Sequence, residues 1–378
     1  MDANDFWPAL MAHRERCWDA LRAQGRVVKI DKTYHLTRRE DVVAALRDTE
    51  VFSSAQRSQK SVMGLPPYPT AVDPPAHGRY RKIMQPWFTP KVVQELVPEM
   101  ASLAEELVDS VAGDGRCELR VAVAVPYAGI CLQGICGLPP KDAWDVWEWK
   151  HRAMTEPPGS RGYREAWNWL VGYFFSAISA HRRNPELTGV FQSIARADLT
   201  DGEILSMCFT AVGGAGDNEA IVALFAFSAL ASDPELRQRL RADPAQTERF
   251  VDEVLRLEPP ISGLGRVTTR AITIGDVTIP AGAYVSLRLG AINREDCPSA
   301  GAGRHWTFGG GPHRCPAANL ARTEIAVLIN AWLRRIPDFE VQPGWRPDVH
   351  DIVFDVGAYQ IPSLPLRWKP ALSANLPG

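Results

Sequence analysis

The stretch "DGEILSMCFTAVGGAGDNEAIVALFAFSALA" (201–231) is apolar around its whole circumference when wound as a helix, except at its middle. A helix with no polar face has nothing to offer water, so other elements must wrap it. A chain carrying it therefore needs a large, mainly helical body, and 378 residues, 46% of them hydrophobic and 12 of them Trp, are enough to build one. The middle is the anomaly: "AVGGAGDNEAI" (211–221) sets three glycines and then Asp217, Asn218 and Glu219 between two apolar runs. Each glycine costs about 1 kcal/mol of helix propensity relative to alanine. A loop between two helices is the plainer alternative; the expectation is one buried helix, grooved or kinked here so that something can approach its backbone.

Helical periodicity governs much of the rest. "PKVVQELVPEMASLAEELVDSVA" (90–112) spaces apolar residues by three and four with acids between, predicting an amphipathic helix that ends near Gly113. "PAQTERFVDEVLRLEP" (244–259), stopped by Pro259-Pro260, and "LARTEIAVLINAWLRRI" (320–336) predict two more. Strand-like alternation is confined to "GRVVKIDKTYHLT" and "RAITIGDVTIPAGAYVSL" (270–287), read as hairpins, the second turning at Gly275-Asp276. No repeat, low-complexity tract or linker breaks the pattern. The expected class is mostly α: one domain over 1–378, with a small β-rich lobe mainly about 25–55 and 264–290.

A net charge of −2 gives no basic stripe for nucleic acid, and local clusters such as "RYRK" (79–82) read first as solvated helix faces. No apolar run reaches about 18 residues without a charge, so no membrane span is expected. The seven Cys form no zinc-like doublets, Cys131 and Cys136 lie in apolar "AGICLQGICGL", and no secretory segment opens the chain. Reduced thiols in a cytoplasmic enzyme are the expectation.

The chemistry concentrates in "WTFGGGPHRCPAANLARTE" (306–324). Gly309, Gly310 and Gly311 leave the backbone open to a flat or bulky group. Cys315 immediately precedes a predicted helix, whose first amides and dipole are expected to lower the thiol pKa and hold a thiolate. Such a thiolate suits a soft metal. With no second Cys or His at zinc spacing, the other donors would come from a cofactor such as a porphyrin.

This segment resembles the heme-binding signature of cytochrome P450 enzymes, Phe-x-x-Gly-x-x-x-Cys-x-Gly, with Phe308, Gly311 and Cys315 in register and Ala317 in place of the last Gly. Glu253 and Arg256 in "EVLR" match the family's E-x-x-R pair; alone, that spacing also fits an ordinary exposed ion pair. The resemblance implies that the pair is buried and ties the heme-side meander to its helix. His77 and Arg81 in "HGRYR", Arg266 in "GLGRVTTR" and His313 match positions that clamp the heme carboxylates, and Leu320 to Glu324 and the segment 34–54 also match. The resemblance implies the family's triangular helical fold and heme b with Cys315 as the iron ligand. It also implies dioxygen activation with electrons from NAD(P)H through a ferredoxin- or flavodoxin-type partner. The substrate would be a small molecule or short peptide, taken by a monomer with neither nucleic acid nor membrane as a partner.

Two departures stand out. After "AINRED" (291–296) only "CPSAGAG" intervenes before Arg304-His305, so the meander arginine that normally joins the Glu–Arg pair is missing unless Arg304 or Arg294 replaces it. In the distal segment, Asp217 falls on the family's acid position and Asn218 where Thr usually stands, with Glu219 next. An amide can hold a relay water but carries protons poorly. The expected reaction is therefore hydroxylation or aromatic oxidative coupling in specialised-metabolite tailoring, with peptide aromatic cross-linking without oxygen insertion as the alternative. A rival of another class is a non-catalytic heme sensor or ligand carrier. By resemblance the substrate pocket draws on Met63, Leu65, Tyr68, Gly213, Gly214, Ile261, Val353 and Tyr359, each of which is also explained by simple packing, and 154–163 reads as a mobile lid.

Overall fold

The computed structural model describes residues 14–55, 66–295, 305–346, 350–353 and 358–370. It opens with α1 (Arg14–Ala23), the hairpin β1 (Val27–Ile30) and β2 (Thr33–Leu36), α2 (Arg39–Arg47) and β3 (Phe52–Ser53). Next come α3 (His77–Met84), α4 (Pro90–Ala112), β4 (Arg116–Glu118), α5 (Val125–Cys136), α6 (Ala143–Thr155), α7 (Arg161–Arg183) and α8 (Val190–Arg196). The central pair α9 (Asp201–Gly213) and α10 (Asp217–Ser232) leads to α11 (Pro234–Ala242) and α12 (Thr247–Leu257). Strands β5 (Leu264–Thr268), β6 (Ile272–Ile274), β7 (Val277–Ile279) and β8 (Tyr284–Leu287) precede α13 (Leu289–Asn293) and α14 (Ala318–Arg335). Short strands β9 (Glu340–Val341), β10 (His350–Val353), β11 (Ala358–Gln360) and β12 (Pro365–Arg367) close the described chain.

Local sequence explains the main helices. Thr89 caps α4, its hydroxyl accepting from Val92 N, Pro90 takes the first turn, and Gly113 follows the end. Its buried face, Val93, Met100, Ala104, Val108 and Val111, packs along α14. Thr200 and Glu203 form a reciprocal capping box that starts α9. In α10 the residues Ile221, Val222, Leu224, Phe225, Phe227 and Leu230 are all buried, and Phe227 meets Trp332 of α14 edge-on at 5.2 Å.

The 201–231 stretch is not one helix. It divides at residues 214–216, where Gly216 adopts a φ of 85°, a conformation that ends helical propagation. The anticipated kink is thus a full interruption inside the core, and the two apolar runs are separate helices.

The β-rich lobe is a five-stranded sheet in the order β1-β2-β8-β5-β3. Pairing is antiparallel except between β2 and β8, which run parallel with Thr33 opposite Tyr284 and Leu36 opposite Leu287. Leu36, Val42, Leu46, Val285 and Leu287 form a small core beneath it, separate from the large helical core. A second sheet, β4-β12-β9, and the hairpins β6-β7 and β10-β11 complete the strands.

Candidate active site

The loop before Cys315 is folded by its own backbone: Gly309 N donates to Trp306 O at 2.7 Å, Cys315 N to Phe308 O at 2.8 Å and Arg314 N to Gly311 O at 3.2 Å. Gly309 and Gly311 hold φ values of 67° and 64°. Gly311 also serves the chain itself: a Cβ there would stand 2.1 Å from Leu46 O at the end of α2. That absence of Cβ presses the loop onto α2. Ala317 has an ordinary φ of −84° and is buried, so the position does not require glycine.

The Ala317 amide at the helix start favours the Cys315 thiolate, as expected, but does not decide the net shift. Burial pushes the thiol up to about 11, outweighing the Ala317 amide and the charges of Arg81 and Arg314 that favour the thiolate. A thiolate here needs a cation at the sulfur itself, which is what a coordinated metal provides.

Four basic residues predicted from sequence gather beside this loop. His77 begins α3 and is buried; Arg81, one turn on, donates to Arg314 O at 2.7 Å and so joins α3 to the cysteine loop. The His77 and His313 rings meet edge-on at 4.5 Å. Burial above all, then Arg266, itself buried on β5, and His77 drive His313 down to about 4. His313 Nε2 is buried without a hydrogen bond, and at 3.7 Å the Asp73 carboxylate is too far to supply one. Asp73 is itself held by Ser53 Oγ at 2.5 Å and Ser54 N at 2.9 Å. Buried Arg266 and half-buried Arg81, beside two imidazoles whose pKa values burial holds down, fit an external acidic group.

At the α9–α10 break, Asp217, Asn218 and Glu219 have distinct partners. Trp147 Nε1 donates to Asp217 Oδ1 at 2.7 Å, and Lys150 Nζ reaches Asp217 Oδ2 at 3.0 Å and Ala215 O at 3.3 Å. Lys150 is 2% exposed, although it is a lysine. Asn218 Nδ2 donates to Gly214 O at 3.0 Å. Glu219 turns inward and accepts from Gly216 N at 2.6 Å; burial raises its pKa, and its charge is felt at Cys315. Trp147 and Lys150, both on α6, were not foreseen. The turn 156–160 joins α6 to α7 at the predicted lid.

Arg256 grips Glu253 with two bonds of 2.6 and 2.8 Å and donates to Asn293 O at 2.8 Å. The pair does tie α12 to α13, but Glu253 is 48% exposed rather than buried. Arg294 goes to Leu257 O at 2.6 Å and lies 3.6 Å from Glu258, so it does not replace the missing arginine at Glu253, and Arg304 lies outside the described residues. Of the predicted pocket residues, Tyr68 stacks on Tyr80 at 4.3 Å, and its backbone N donates to Ser206 Oγ of α9. Gly213 ends α9, Gly214 is exposed and Ile261 is half-buried. Met63 and Leu65 lie outside the described residues, as do the side chains of Val353 on β10 and Tyr359 on β11.

Residues 186–297 match the sequence profile of the family Cytochrome P450. Cytochrome P450 130 of Mycobacterium tuberculosis is 31% identical over 338 residues, covering 82% of each chain. The chain belongs to the cytochrome P450 family. Cytochrome P450-SU2 of Streptomyces griseolus is 28% identical across 88% of this chain and 87% of its own. The structure of the cytochrome P450 CYP109Q5 from Chondromyces apiculatus superposes with a TM-score of 0.84 at 26% identity, covering 98% of both chains. The P450 described here is therefore an oxidoreductase of the heme-thiolate monooxygenase class. No described helix is long and apolar enough to cross a membrane.

Proposed function

We propose that Cys315 is the iron ligand of a heme b whose two carboxylates are taken by His77, Arg81, Arg266 and His313. The observation that carries this reading is the buried Nε2 of His313 without a hydrogen bond, close to Arg266 and beside the loop whose cysteine sits at the P450 position. Bound heme supplies dioxygen activation with two electrons from a redox partner. The chain's own residues then bind, orient and deliver protons. Asp217 stands at the helix break as the acid that would deliver protons, with Trp147 and Lys150 fixing both its oxygens. Asn218 keeps the carbonyl of Gly214 occupied. A cleft of about 430 Å³ beside the cysteine loop, bordered by Arg47, His305, Arg314 and Arg322, suits an acidic electron donor of the ferredoxin or flavodoxin type.

The reaction we assign is oxidation, in the first place hydroxylation, of a mid-sized specialised metabolite. Relatives named for such tailoring support it: the cyclomarin C epoxidase of Salinispora arenicola is 26% identical over 85% of this chain. The test has two stages. The reduced protein with carbon monoxide should show a strongly red-shifted Soret band; its absence rejects Cys315 as ligand. Turnover products should then gain one oxygen, whereas loss of two hydrogens assigns coupling and no turnover with any donor assigns a sensor.

A further inference from the structure

Beside the Glu253–Arg256 pair, a second set of side chains ties α12 to the cysteine loop. Asp252, one residue before Glu253 on α12, receives Arg322 Nε of α14, and His305 Nε2 lies 3.2 Å from the same carboxylate oxygen. Arg322 also donates to Ala318 O at 3.1 Å and stands 3.3 Å from His305 Nε2. Its guanidinium lies over the ring of Phe308, 4.6 Å from the centroid, and the His305 ring packs on the same phenyl at 5.6 Å. Phe308 is the residue whose carbonyl accepts the Cys315 amide at 2.8 Å. One carboxylate, one fork and one ring thus connect α12 to the cysteine loop, while the neighbouring Glu253 faces outward at 48% exposure.

We infer that Arg322, held by Asp252 and stacked on Phe308, is a positioning residue for the Cys315 loop and that its charge contributes to the reduction potential of the thiolate site. The inference rests on the assignment of Cys315 as the heme ligand. Adding an electron to that site makes it more negative, so a nearby cation favours the reduced form and a nearby anion disfavours it. Arg322 and Asp252 sit on the same path with opposite charges, so removing either one acts in opposite directions. A purely mechanical brace has no such sign: breaking it from either end loosens the same loop.

The experiment is a spectroelectrochemical titration of the heme-loaded protein, wild type against Arg322→Gln, Arg322→Lys, Asp252→Asn and Glu253→Gln. Arg322→Gln should move the potential downward and Asp252→Asn upward, with Glu253→Gln close to wild type because its charge is solvated. Arg322→Lys keeps the charge but loses the fork, and should hold the potential while lowering the melting temperature. The inference is overturned if Arg322→Gln and Asp252→Asn shift the potential the same way or not at all. It is equally overturned if Arg322→Lys shifts it as far as Arg322→Gln. Should Arg322→Gln lose heme, the Asp252→Asn and Arg322→Lys pair still decides between charge and brace. A wild-type protein without the red-shifted carbon monoxide band fails at the earlier step, the ligand assignment, and is recognised as such.

Discussion

Lys150 Nζ lies 3.0 Å from Asp217 Oδ2, so a lysine of α6 enters the core to meet the acid at the start of α10. Trp147, one turn earlier, takes the other oxygen at 2.7 Å. Asp217→Asn removes the acid while keeping the shape, and should lower product formation by about 10²-fold if proton delivery runs through it. Lys150→Met keeps the stem and the Trp147 bond, so activity should fall less. Because Asp217 is 30% exposed and can rehydrate, the stability lost in Lys150→Met should be about 1–2 kcal/mol rather than the larger cost of a sealed ion pair. Product per electron consumed, together with denaturant melts, checks both; equal activity in wild type and Asp217→Asn removes Asp217 from the mechanism.

Gly311→Ala should be among the most damaging small changes in the chain. It combines a φ of 64° with a Cβ placed 2.1 Å from Leu46 O, a backbone atom that cannot step aside. Strain and overpacking together predict a loss of about 2–4 kcal/mol, with weakened heme retention because the cysteine loop lifts from α2. Gly282→Ala is the control: its φ is 76° but nothing lies within 4 Å of the new Cβ, so only the conformational cost of about 1 kcal/mol remains. Urea midpoints that fall equally in the two variants would mean that the Leu46 contact is yielding.

Much of this architecture is written in local signals. The ends of α4 are legible because Thr89, Pro90 and Gly113 are capping residues at the right places, and the cysteine loop because its spacing is rigid. The division at 214–216 is harder to foresee: apolarity on both sides speaks for burial, and burial does not distinguish one helix from two. Lys150 was the missed residue with a visible cue. The buried positions of α6 are Ala143, Val146, Lys150 and Ala153, a three-four-three spacing in which lysine occupies a core site. What no local pattern shows is its partner, because Asp217 is 67 residues away and meets it only through tertiary packing. Likewise the Glu–Arg pair is found by spacing, whereas its exposure depends on how α12 sits against the loop.

Glu219 should make stability depend on pH. Burial raises its carboxyl in the folded state, against the opposing pull of Gly216 N and Lys150. The folded chain therefore holds this proton more tightly than the unfolded one, in which a Glu titrates near about 4.3. The stabilisation is complete below that pH and is lost as pH rises through the folded value. Glu219→Gln stays neutral and keeps an oxygen for Gly216 N, so its stability relative to wild type should improve as pH rises above the unfolded value through the raised folded one. Denaturant midpoints of the two proteins that run parallel over this range would place the Glu219 proton elsewhere.

Asn218 can be tested by restoring the residue it replaces. Its Nδ2 donates to Gly214 O at 3.0 Å, so the amide spends a donor on the broken helix and retains only its oxygen and one further N–H for the pocket. A threonine hydroxyl in that place can donate and accept through a single atom, and so hand a proton onward where an amide can only hold a water. Asn218→Thr should therefore raise the fraction of electrons that end in product and lower the peroxide released, with a several-fold change in their ratio. Asn218→Ala, lacking any polar group, should move that ratio the other way. Stability should change little in Asn218→Thr, since Gly214 is exposed and its carbonyl can be hydrated. If Asn218→Thr leaves rate, coupling and product as in wild type, proton delivery does not pass this side chain, and Asp217 with its two α6 donors carries it alone.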